Sequence, residues 1–162
     1  NLEELHLYNK RKKTDSTFKG ISKLVVLSLG RNKIENIELR SFESLTNLKR
    51  LFLDNNKLKR IDLSTFHGLT KLEELRLEEN EIEELDKRLF EDLSNLNFLC
   101  LNNNKLKFID RKCFESLNSM KILKLYENDD LKTLSFLSEI STYNCFDKCK
   151  LEKNGLIWQF LT

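Results

Sequence analysis

Five times along this chain the residues Leu-x-x-Leu-x-Leu-x-x-Asn-x-(Leu/Ile) recur in the same order, each copy starting 24 residues after the last. The copies begin at Leu24, Leu48, Leu72, Leu96 and Met120. In the last copy the final apolar position slips by one, to Leu131. The back half is equally regular. It carries an apolar column (Ile37, Ile61, Leu85, Ile109), a Phe column (Phe42, Phe66, Phe90, Phe114) and a Leu column (Leu45, Leu69, Leu93, Leu117). A shortened copy opens the chain with Leu2, Leu5 and Leu7, followed by Phe18 and Ile21; it spans 24 − 2 = 22 residues. A fixed period of this length specifies a stacked solenoid, in which no unit can bury its apolar face alone.

Within each unit the second and third leucines are two apart, which is strand geometry with one face buried. Leu27/Leu29, Leu51/Leu53, Leu75/Leu77 and Leu99/Leu101 therefore point into the core, and stacked units give a parallel sheet. At about 4.8 Å per strand, six strands span roughly 29 Å. The Phe half is bulkier, so the stack curves with the sheet on its concave side. The Asn column (Asn32, Asn56, Asn80, Asn104, Asn128) follows each strand where the backbone turns inward. An amide offers both donors and acceptors, so a buried Asn ladder serves the exposed peptide groups of its own repeat and the next.

This pattern resembles the leucine-rich repeat family, in its 24-residue typical class. The resemblance covers residues 2 to about 137 and implies a curved α/β horseshoe, with a parallel β-sheet on the concave face and a mostly irregular or short helical convex side. It divides the chain into repeats over 1–137, about six units, and a cap-like C-terminal segment over 138–162. The segment Asn144-Cys145-Phe146-Asp147-Lys148-Cys149, with Trp158 beyond it, is similar to the cysteine-bearing cap of extracellular members. The match is partial, since Cys145 stands at the cap's Pro position and Phe146 at its Trp position. Three states stay open: a Cys145–Cys149 disulfide, a bond from Cys149 to a residue beyond Thr162, or two free thiols. The first follows from the resemblance, and cysteine count alone does not choose.

Compartment is read from several features at once. The resemblance points to secreted or cell-surface receptors of innate immunity and adhesion, Toll-related and secreted invertebrate immune proteins among them. Against it, Cys100 lies on the outward row of a strand and Cys113 on the opposite side, so they do not pair, and no Asn-x-Ser/Thr site occurs. These two features fit a cytoplasmic scaffold. The chain opens at Asn1 inside a repeat, which reads as a segment of a longer protein.

Composition removes other functions. Lys+Arg 28 against Asp+Glu 26 leaves a net charge of +2, so nothing argues for nucleic acid. The basic run Lys10–Lys13 reads as a solvated loop. No apolar stretch is long enough to insert into a membrane. The four glycines form no phosphate loop, and His6 and His67 stand near no nucleophile, so no enzyme and no cofactor is expected. A metal site is not expected either, because the C-x-x-x-C pair has no second pair. Glu78/Glu79 and Glu83/Glu84 read as solvated charge.

Function then falls to the variable positions of the concave strands. Three outward rows cross the sheet: Glu4, Val26, Arg50, Glu74, Phe98, Ile122; His6, Ser28, Phe52, Arg76, Cys100, Lys124; and Tyr8, Gly30, Asp54, Glu78, Asn102, Tyr126. They offer roughly 30 side chains with their neighbours, about one side of a standard protein interface. Phe98, Ile122 and Tyr126 form one apolar patch, and Arg50 and Arg76 neighbour Phe52. Aromatic and Arg clusters anchor interfaces, so the expected site is Arg50, Phe52, Arg76, Phe98, Ile122, Lys124 and Tyr126, with a protein ligand as partner. A homo- or hetero-dimer through the same face or the cap is the alternative use.

Overall fold

The computed structural model describes residues 2–7, 18, 20–110, 112–129 and 131, and, as backbone alone, residues 11–14, 111, 149–151 and 157–160. Six short strands stack in parallel: β1 (Glu4–His6), β3 (Val26–Ser28), β5 (Arg50–Phe52), β6 (Glu74–Arg76), β7 (Phe98–Cys100) and β8 (Ile122–Lys124). Between the first two lies β2 (Arg11–Thr14), and β4 (Lys33–Ile37) follows β3. The middle Leu of each repeat stands opposite its counterpart, so Leu5, Leu27, Leu51, Leu75, Leu99 and Leu123 form one unbroken register. Leu27, Leu51, Leu75 and Leu99 are wholly buried. Shifting the register by one residue would turn this column out to solvent, so the leucines themselves enforce it.

At the C-terminal edge the sheet changes sense. β10 (Ile157–Phe160) pairs antiparallel with β8, and β9 (Cys149–Leu151) pairs antiparallel with β10. Cys149 is thus placed on a strand, whereas Cys145 and the pairing of these two cysteines lie outside the described residues. The basic run expected to be a loop is partly a strand, since β2 pairs in parallel with β4 as a separate two-stranded sheet. Its backbone finds hydrogen-bonding partners there that a solvated loop would take from water.

The Asn ladder works backward along the solenoid. Asn56 Nδ2 donates to Leu53 O of its own repeat (3.1 Å) and to Leu29 O of the preceding one (2.9 Å). Its Oδ1 accepts from Ile34 N, again in the preceding repeat, at 3.0 Å. Asn80, Asn104 and Asn128 repeat the arrangement. Each amide thus serves its own repeat, as the spacing predicts, but beyond it the preceding repeat and not the next. The carbonyl of the third Leu explains the difference. Leu29 O accepts amide N–H groups from both Asn32 and Asn56, so each repeat is sealed by the Asn that follows it.

Phe18, Phe42, Phe66, Phe90 and Phe114 are buried behind this ladder. Phe66–Phe90 and Phe90–Phe114 stack with centroids 6.2 Å apart, within the range of favourable aromatic pairs. Among the described residues the convex side holds turns and the 3-10 helix Arg111–Phe114. An Asp column missed in the sequence starts these turns. Asp62, Asp86 and Asp110 accept from the backbone N–H groups of Ser64, Arg88 and Lys112 at 2.8–2.9 Å.

Candidate functional site

The two central outward rows follow from the strand register. Glu4, Val26, Arg50, Glu74, Phe98 and Ile122 stand side by side, and so do His6, Ser28, Phe52, Arg76, Cys100 and Lys124. Position on an outward row does not ensure exposure. Val26 and Cys100 are each only 3% exposed, and Asn102 only 6%. Val26 lies between Glu4 and Arg50, whose side chains meet 3.9 Å apart across it. Cys100 stands between Arg76 and Lys124 in the register. Burial pushes the Cys100 thiol up to about 12, with the Glu78 charge adding to the effect. At neutral pH it stays a thiol and not the nucleophilic thiolate.

The centre of the face is a stack of alternating rings and cations. The Arg76 guanidinium lies 5.3 Å from the Phe52 ring centroid and 5.3 Å from that of Phe98. Lys124 Nζ lies 5.3 Å from the Phe98 centroid on the far side. Phe52, Arg76, Phe98 and Lys124 thus run across β5, β6, β7 and β8 as one unit. The two phenylalanines are two strands apart, and Arg76 joins them. Ile122 stands beside Phe98 in the register, and Tyr126 is half-buried two positions beyond Lys124. Arg50 does not join the stack, since it turns toward Glu4.

Two acids that the sequence reading did not assign to the site hold Arg76 in place. Glu74 Oε1 accepts from Arg76 Nε at 2.6 Å, and Glu78 Oε1 lies 3.8 Å from its Nη1. Burial works against the Arg76 charge, but Glu74 and Glu78 together hold its pKa above the ordinary value. The spacing of Glu74, Arg76 and Glu78 is the signal that reveals this clamp, because residues two apart share one face of a strand. Glu78 is accordingly not solvated as expected. Its Oε2 is buried without a hydrogen-bond partner, and burial, reinforced by Asp54, raises its pKa. Glu79 beside it is exposed.

The repeat geometry, the Asn ladder and the Phe spine are joined by a sequence match. The pattern of the family described as leucine rich repeat matches residues 1–58 and 46–106. This chain belongs to the leucine-rich repeat family. The family is a non-enzymatic protein-interaction fold, and this member resembles Toll-like immune receptor ectodomains. Comparison with curated proteins gives no match. Among solved structures, a chain of the Drosophila Toll–Spatzle complex in its glycosylated form is 33% identical over 65% of this chain, with a TM-score of 0.64. A second structure of that complex is 29% identical over 90% of the chain, with a TM-score of 0.77. A chain of the TLR13–ssRNA13 complex is 31% identical over 73%, with a TM-score of 0.66. The leucine-rich repeat chain spans 14%, 20% and 17% of the lengths of these three. Among the described residues no helix is long and apolar enough to cross a membrane, and no group of His, Cys, Asp and Glu is placed to hold a metal.

Proposed function

We propose that this chain recognises a protein partner through its concave face, as part of a secreted or cell-surface receptor of immunity or adhesion. Phe52, Arg76, Phe98 and Lys124 are its central anchors, flanked by Ile122 and Tyr126, with Arg50 at the edge. The observation that carries this reading is the four-membered stack of rings and cations, held on the sheet face that the repeat leaves open. Large, pre-positioned aromatic and Arg side chains lose little entropy on binding and supply most interface energy. The Toll chain that it resembles stands in a complex with Spatzle, which supports a protein partner. TLR13 stands in a complex with ssRNA13, but here Glu4, Glu74 and Glu78 lie beside the concave cations. A nucleic-acid track needs cations free to meet phosphates.

The test uses the chain immobilised as wild type and as Phe98→Ala/Tyr126→Ala. A partner recovered from extracellular fluid and purified should bind the double variant several kcal/mol more weakly, with the fold intact by circular dichroism. Unchanged affinity would place binding off this face.

The buried free thiols Cys100 and Cys113 favour a second reading, an intracellular scaffold that docks a partner protein. Thiol titration of native and denatured protein from its own compartment separates the two. If all four cysteines react, the extracellular reading fails. Homotypic assembly predicts concentration-dependent mass in light scattering, and a monomer at high concentration removes it.

A further inference from the structure

One concave carboxylate differs from its neighbours. Glu4, Glu74 and Glu78 each lie within 4.0 Å of a cationic nitrogen. Among the described residues Asp54 has no such partner, and its side chain receives only a 3.4 Å hydrogen bond from Asn55 Nδ2. It is nevertheless held in place. A Cβ on Gly30 would stand 2.4 Å from Asp54 Oδ1 and 2.8 Å from its Cγ, so the carboxylate occupies the space that glycine leaves open. Beside it is a depression of about 230 Å³, lined by Ser28, Gly30, Arg31, Phe52, Asp54 and Arg76. That is below the ~300 Å³ at which small-molecule sites begin and suits a single side chain.

We infer that this depression is a socket for one lysine or arginine side chain of the protein partner, its stem against Phe52 and its cationic head on Asp54. The proposal rests on the concave face being the recognition surface, and it adds the partner's chemistry. The charges around the socket support the sign. Arg31 and Arg76 line it with Asp54, and Arg76 is already committed to Glu74 and Glu78. Arg31 forms no ion pair with Asp54, so a ligand meets an unpaired carboxylate beside a ring face, which together attract a cation. The Arg31→Ala variant tests whether Arg31 alters that choice. An apolar side chain would leave Asp54 desolvated and unpaired, at a cost that excludes it.

The test needs no partner. The 15N-labelled chain is titrated with N-acetyl methylamides of lysine, arginine, norleucine and glutamate, and backbone amide shifts are followed. Lysine or arginine should shift Gly30, Arg31 and Asp54 saturably, with norleucine at least about tenfold weaker, as expected for a charge-assisted contact. Asp54→Asn should abolish the preference while leaving the rest of the spectrum unchanged. Arg31→Ala should retain it. Equal binding of norleucine, preference for glutamate, loss of cation binding in Arg31→Ala, or no saturable shift in any titration would each overturn the socket. If the socket fails while Phe98→Ala/Tyr126→Ala still weakens the partner, the concave reading stands without it. If cations bind here but the double variant loses no affinity, the broader reading fails instead.

Discussion

Just after its strand, each of the five full repeats turns at a residue held in the left-handed region. Arg31, Asn55, Glu79, Asn103 and Glu127 all have φ between 53° and 55°. Gly, Asn and Asp enter this region readily, and other side chains are strained there. The column alternates between residues that suit it (Asn55, Asn103) and residues that do not (Arg31, Glu79, Glu127). Glu79→Asn should therefore raise stability by about 0.5–1 kcal/mol, read as a higher urea midpoint at constant slope. The neighbouring change acts in the opposite direction. Asn80 Nδ2 ties Leu53 O to Leu77 O, and its Oδ1 accepts from Leu58 N. Asn80→Ala leaves these buried groups without partners and should cost about 1–3 kcal/mol in the same assay. The two positions show what could be read from sequence. The Asn is visible because the same side chain does the same work in five repeats. The left-handed turn is invisible because it is a backbone property, and Arg and Glu give no sign of it.

Between repeats, side chains on the flank form ion pairs across the stack. Lys105 Nζ meets Glu81 Oε2 at 2.9 Å, Lys107 Nζ meets Glu83 Oε2 at 2.7 Å, and Arg60 pairs with Glu84. The hydrogen bond and charge of Lys107 lower the pKa of Glu83, and Lys105 does the same for Glu81. A lowered carboxylate pKa stabilises the fold above the ordinary value of 4.5, and the contribution is lost as pH falls through the lowered value. Glu78 has the opposite sign. Its raised pKa means that the charged form is penalised above that pKa, and the penalty is relieved on acidification. At neutral pH Glu78→Gln should thus raise the urea midpoint and Glu83→Gln should lower it. Both differences should shrink as the pH approaches about 2, where the carboxylates are protonated in either state. Sequence alone treated both as solvated charge, because it shows the charges but not which one a neighbouring strand covers.

Over the whole molecule, solenoid stability is ordinarily a sum of repeat and nearest-neighbour terms. The Leu register and the Asn ladder obey this, since every bond they make stays within one repeat or reaches the adjacent one. The contacts of the concave stack also join adjacent repeats, but one side chain, Arg76, takes part in two of them and can couple repeats that do not touch. Phe52 and Phe98 belong to strands separated by β6, and Arg76 touches both rings at 5.3 Å. Sequence spacing placed the two phenylalanines on one face but gave no link between them, because the link is the rotamer of Arg76, set by Glu74 and Glu78. If the stack acts as one unit, Phe52→Ala and Phe98→Ala should not be additive in stability. A double-mutant cycle should give a coupling of about 0.5–1 kcal/mol, the scale of an exposed cation–aromatic contact. Repeating the cycle with Arg76→Ala in all four proteins should bring the coupling to zero, because any strain from the orphaned Glu74 and Glu78 is common to every corner and cancels. A coupling that survives loss of Arg76 would mean that the rings communicate through the sheet. Absence of coupling in both cycles would reduce the stack to independent side chains. A partner pressing on this face would then meet separate contacts, and the losses of binding free energy in the two single alanine variants would sum to the loss in the double.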